Sequence, residues 1–116
     1  MATVQIAFTD NSDNEDKFNV YRSNDGAAVT SVAAELVATI TWDSGATVWN
    51  IVSGATLDPT NSVAFVGAAP TADPTNNNSF TITYEESDTG TFTYGVEAEN
   101  NIGKSATTSA SPITIS

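Results

Sequence analysis

The 116-residue sequence predicts an all-β Greek-key sandwich, built as one domain over residues 1–116. Three observations predict it. Valine, isoleucine and aromatic residues recur at alternating positions, the period of a half-buried strand. Threonine, serine and asparagine fill the positions between them, which is strand and turn chemistry rather than helix chemistry. Turn signals cut the chain into about eight short strands, the spacing of a sandwich. A chain of this length buries roughly two-thirds of its unfolded surface in one core.

The first strand spans Thr3 to Thr9, with Val4, Ile6 and Phe8 on one face and Thr3, Gln5 and Ala7 on the other. Asp10 to Asp16 is a polar loop. A second strand runs from Lys17 to Ser23, with Phe18 and Val20 inward. Asn24-Asp25-Gly26 is a tight turn, because Asp-Gly accepts the positive φ angles of such turns. Ser31 to Val37 is the only helix-like stretch, and it is short. Leu36, Ala38, Ile40 and Trp42 alternate along a third strand, closed by Asp43-Ser44-Gly45. Thr47–Ser53 and Asn61–Val66 read as two more strands. Ala68–Ser79, with two prolines and three consecutive asparagines, reads as a surface loop. Phe80, Ile82 and Tyr84 alternate, then Glu85–Gly90 turns the chain. Phe92, Tyr94, Val96 and Ala98 alternate along the clearest strand, whose outer face carries Thr91, Thr93, Glu97 and Glu99. Ile113 and Ile115 mark a last short strand.

Composition narrows the chemistry. There is no cysteine, hence no disulfide scaffold and no thiolate nucleophile or ligand. There is no histidine, the usual general base and commonest metal ligand. Three basic residues against 14 acidic ones give a formal charge of −11, which disfavours nucleic acid and anionic membranes as partners. The amino terminus has neither the basic region nor the apolar run of a Sec signal peptide. No segment is long enough to span a bilayer.

Two segments carry a family resemblance. Asp10-Asn-Ser-Asp-Asn-Glu-Asp-Lys-Phe-Asn-Val-Tyr-Arg-Ser23 resembles the B-to-C strand region of fibronectin type III domains, especially bacterial and phage ones. Thr91-Phe-Thr-Tyr-Gly-Val-Glu-Ala-Glu-Asn-Asn-Ile-Gly-Lys-Ser105 is similar to the F strand and F–G loop of that family. The family's B-strand tryptophan is replaced by Phe8 and its F-strand tyrosine by Phe92. The chain starts at the B-like strand, and the stretch between Ser23 and Phe80 is longer than the family needs. That excess holds Trp42 and Trp49 and implies an added hairpin in the middle of the chain. A second resemblance is to immunoglobulin I-set domains, through Asp88–Tyr94, with Trp49 as the C-strand tryptophan and Tyr94 where cysteine is expected. Either way the fold implied is a fibronectin type III/immunoglobulin-like sandwich.

Each candidate site has a plain structural role as its rival. Asp10–Asp16 has four carboxylates, but Glu15 stands where a calcium loop of EF-hand type needs glycine, so a solvated acidic loop is expected, with no metal. Glu85, Glu86 and Asp88 are expected to form a solvated turn rather than a catalytic pair. Arg22, the only arginine, is expected to pair with a nearby carboxylate at low energetic value. Asn77-Asn78-Ser79 is a glycosylation sequon in form. Trp42 is expected in the core. Trp49, with Val48 and Ile51 beside it, is the candidate interface. No catalytic residue, cofactor or metal ligand is assigned, and no enzyme activity is expected.

The resemblance implies a structural and interaction protein. The first expectation is a phage virion component such as a capsid decoration protein, with the major capsid protein or another virion protein as partner and homo-oligomers admitted. The alternative is an extracellular or cell-surface bacterial module from an adhesin, a filament or a carbohydrate-active enzyme. The family's A strand has no counterpart before Thr3, so the first strand needs a cover for its outer edge. Thr47–Ser53 or Asn61–Val66 is expected to supply it, in preference to a strand from a partner.

Overall fold

A computed structural model describes residues 2–10, 17–30, 32–53, 63–67, 78–99, 108–109 and 111–116. The strands are β1 (Ala2–Asp10), β2 (Lys17–Asn24), β3 (Leu36–Asp43), β4 (Val48–Ser53), β5 (Val63–Val66), β6 (Asn78–Glu86), β7 (Gly90–Glu99), β8 (Thr108–Ser109) and β9 (Ile113–Ile115). They form two antiparallel sheets packed together. One has the order β1-β6-β5, the other β4-β3-β2-β7-β8, with β9 also on β7. The chain runs β2-β3-β4 as a meander, crosses to the other sheet for β5 and β6, and returns as β7 beside β2. That return is the Greek-key step. The helix-like stretch is reduced to one 3-10 turn, Ala33–Glu35.

Alternation sets which side chains meet. Val4, Ile6 and Phe8 on β1 stand opposite Tyr84, Ile82 and Phe80 on β6. Across the sandwich, Phe18 and Val20 on β2 lie between Ile40 and Ala38 on β3 and Ala98 and Val96 on β7. Val4, Ile6, Phe18, Val20, Ile82, Tyr94 and Val96 are buried as expected, and Phe8 packs half-buried against them. Phe18 is the hub. Its ring centroid lies 5.1 Å from Phe8, 5.1 Å from Phe80 and 5.5 Å from Trp49. Burying a side chain of this size stabilises the fold by roughly 2–3 kcal/mol. A register shift at Val20/Tyr21 breaks the alternation on β3, and there Val37 is fully buried while Leu36 is only partly so.

Turn chemistry works as the sequence implies. Ala27 N donates to Asn24 O at 3.2 Å, and the central residues Asp25 and Gly26 have φ of 61° and 75°. In the β3–β4 hairpin, Gly45 N and Ala46 N donate to Asp43 Oδ1 at 3.0 and 3.1 Å. This hairpin, with Trp42 opposite Trp49, lies in the middle of the chain where a hairpin is expected.

Three expectations need correction. Neither candidate covers β1: Thr47–Ser53 contributes β4, which pairs β3, and Asn61–Val66 contributes β5, which pairs β6. Hairpin connection to β3 and short-range return to β6 outcompete the longer closure to β1. Among the described residues no strand lies on the outer edge of β1. Next, Thr93 and Glu97, expected on the outer face of β7, do lie on that face but are buried there, at 2% and 3% exposure. The alternation assigns a face but does not say whether that face is covered. Here Tyr21 OH donates to Glu97 Oε1 at 3.0 Å, and Asn19 Nδ2 donates to Glu97 Oε1 at 3.0 Å and Glu99 Oε1 at 2.9 Å. A polar layer thus roofs the outer face of β2 and β7. Finally, Trp42 is not among the buried core residues. Trp49 is the tryptophan that meets the core, against Phe18, Phe65 and Phe80. The reason is position: the strand after the hairpin brings Trp49 against β5, and Trp42 meets Trp49 edge-on with ring centroids 5.3 Å apart.

Candidate interaction surface

Among the described residues, strand β4 ends the larger sheet and has one hydrogen-bonded neighbour, β3. Register with β3 divides its side chains. Trp49 and Ile51 lie opposite Trp42 and Ile40 on the core-facing side. Val48, Asn50 and Val52 lie on the outer side. Trp49 is half-buried, but Val48, Ile51 and Val52 are 47%, 38% and 61% exposed. Trp49, Val48 and Ile51, the expected interface residues, all lie on this one edge strand, and Val52 beside them is more exposed than any of the three. Val52 was legible in principle, since a strand apolar at both periods is the signature of burial on both faces. Val66 on β5, the edge of the smaller sheet, is 73% exposed.

The second polar centre lies between the sheets near the Glu86 end of β6. Arg22 on β2 points across the sandwich to Glu86 on β6. Its Nη1 donates to Glu86 Oε1 at 2.8 Å and Oε2 at 2.9 Å, and to Asp88 Oδ2 at 3.1 Å. Tyr94 OH donates to Glu86 Oε1, and Asp88 N donates to Oε2 at 3.2 Å. The guanidinium lies 4.5 Å from the centroid of the Phe92 ring. Glu86 is fully buried and the Arg22 side chain is 10% exposed. One expectation holds here and one fails. Arg22 pairs with nearby carboxylates, Glu86 and Asp88, as expected. The Glu85–Asp88 stretch is not a solvated turn throughout: Arg22 sits at an inward position of β2, and its partner Glu86 lies inside with it.

Electrostatics agree with a structural role. Burial acts to lower the Arg22 pKa, but the hydrogen bonds it donates to Glu86 and Asp88 outweigh it and hold the guanidinium above its ordinary value. Burial pushes the Tyr94 phenol up, and the bond to Glu86 pushes it further. An open depression of about 460 Å³ lies beside Arg22, lined also by Asn24, Asp25, Asp88 and Thr89. With two carboxylates on one guanidinium, the cluster has no cationic surplus for an anionic ligand.

Among the described residues no group of three or more His, Cys, Asp or Glu side chains is placed to hold a metal ion. The loop residues 11–16 of the acidic segment, the Ala68–Asn77 part of the expected surface loop and Asn77 of the sequon lie outside the described residues. Among the described residues no helix is long and apolar enough to cross a membrane. Comparison with known proteins found no matching family model, no matching curated protein and no matching solved structure.

Proposed function

We propose that this chain is a non-enzymatic structural and interaction protein that engages other proteins through strand β4. The observation that carries this reading is an uncharged edge strand exposing Val48, Ile51 and Val52 around a half-buried tryptophan. Exposed apolar surface on an open sheet edge marks a protein-binding site. Within this reading the chain is a virion component of capsid-decoration type. The resemblance of Asp10–Ser23 and Thr91–Ser105 to phage and bacterial fibronectin type III domains supports it. The strand order supports a sandwich of the wider immunoglobulin-like kind: β1, β6 and β5 take the places of B, E and D, and β4, β3, β2 and β7 those of C″, C′, C and F. The acidic surface supports a protein partner over nucleic acid.

The test is mass spectrometry of purified phage particles made with the wild-type chain or with Val52→Lys. The expected result is stoichiometric incorporation of the wild type and loss of the variant, whose melting temperature stays unchanged. Absence of the wild-type chain from particles refutes the virion reading. Equal incorporation of the variant refutes the role of β4.

A further inference from the structure

We propose that β4 pairs antiparallel with β4 of a second copy, about a two-fold axis through Asn50. The inference rests on reading β4 as the interaction surface and names its partner. It starts from what β4 lacks. Sheet edges are usually protected by charge, proline, a bulge or a cover. Val48-Trp49-Asn50-Ile51-Val52 has no charge and no proline, and its register with β3 is unbroken over Val48–Ser53.

The self-complementarity is in the residue order. When a two-fold axis runs perpendicular to a sheet, each copy keeps its faces, so opposed residues must have the same parity. An axis through Asn50 satisfies this. Val48 then opposes Val52 of the partner, Trp49 opposes Ile51 of the partner, and Asn50 opposes Asn50 of the partner. Both outer pairs are aliphatic on the outer face, and both inner pairs join an aromatic to a β-branched residue on the core-facing side. Such cross-strand pairs stabilise sheets. The two asparagine amides meet at the axis, each able to donate to and accept from the other. The pairing would join the two larger sheets into one.

Charge does not oppose a second copy, even though the chain is strongly acidic. Residues 44–57 carry no ionisable side chain. The nearest described carboxylate on the neighbouring strand is Asp43, opposite Val48. In the paired sheet the two Asp43 residues are three strand spacings and four residue rises apart, about 19 Å. That is about two Debye lengths at physiological salt, so their repulsion is screened.

The experiment uses the full chain, which has no cysteine of its own. Asn50→Cys places two thiols at the axis, where opposed Cα atoms are about 4.5–5.5 Å apart, within disulfide reach. Val48→Cys places its two thiols four residue rises and one strand spacing apart, about 14 Å and out of reach. Sedimentation of the wild type across a concentration series is expected to show a monomer–dimer equilibrium, shifted to monomer by Val52→Lys. Under mild oxidation Asn50→Cys is expected to cross-link at least about tenfold faster than Val48→Cys. Equal cross-linking rates overturn the register, and a wild type monomeric throughout, with Asn50→Cys left uncross-linked, overturns the pairing. A monomer whose Val52→Lys variant is lost from particles overturns the pairing but keeps β4 as a surface for another protein. A dimer absent from particles keeps the pairing and removes the virion reading.

Discussion

Replacing Glu86 with alanine is expected to destabilise the fold by about 3 kcal/mol. The change removes the acceptor of two Arg22 bonds, of the Tyr94 hydroxyl and of the Asp88 amide. Removing one partner of a buried ion pair costs about 3–5 kcal/mol, because the other charge stays buried. The lower end applies here, since Arg22 keeps Asp88 at 3.1 Å, whose side chain is 56% exposed. For a domain of this size, about 3 kcal/mol lowers Tm by roughly 10–15 °C. The assay is urea denaturation followed by fluorescence of Trp42 and Trp49, with wild type and Glu86→Ala for the magnitude, and with Glu86→Leu, Arg22→Met and their double variant for the coupling. A buried pair exchanged for apolar residues of similar volume is nearly neutral. The double variant should therefore lose at least about 2 kcal/mol less than the sum of the two single variants. Additivity within about 0.5 kcal/mol would refute the view that Arg22 and Glu86 act as one unit across the sheets.

Two further outcomes are expected. Gly67→Ala should destabilise by about 1–3 kcal/mol in the same denaturation assay, because a Cβ there would overlap the Phe80 ring at Cδ1 and Cε1; the Phe80 ring is buried against Phe65 and Phe8 and has little room to give. Tyr94→Phe bears on pH: the folded phenol holds its proton above its ordinary pKa of about 10, so its contribution is complete below pH ~10 and is lost as pH rises beyond that. The variant should be less stable at neutral pH and decline more shallowly in alkali, and parallel pH curves for the two proteins would contradict this.

The chain's local chemistry determined the strands and most of their facings. Val4, Ile6, Phe18, Val20, Ile82, Tyr94 and Val96 turn inward because period-two alternation is a property of the chain alone. The turns at Asn24–Gly26 and Asp43–Gly45 were equally local, set by backbone conformations and side-chain oxygens within a few residues. What only tertiary structure decided was the order of strands and the fate of polar groups. No local signal says that β5 joins β6 rather than β1, because pairing partners are chosen by the whole set of competing closures. Nor does alternation reveal that Glu86 and Glu97 are buried. A carboxylate enters the interior only when donors from distant strands, here Arg22 and Tyr94 for one and Asn19 and Tyr21 for the other, arrive to replace its water. The edge strand shows both limits. Its apolar residues at both periods could be read from the chain, but only the sheet order made Val48, Ile51 and Val52 exposed rather than interior, because only assembly decides which strand is last.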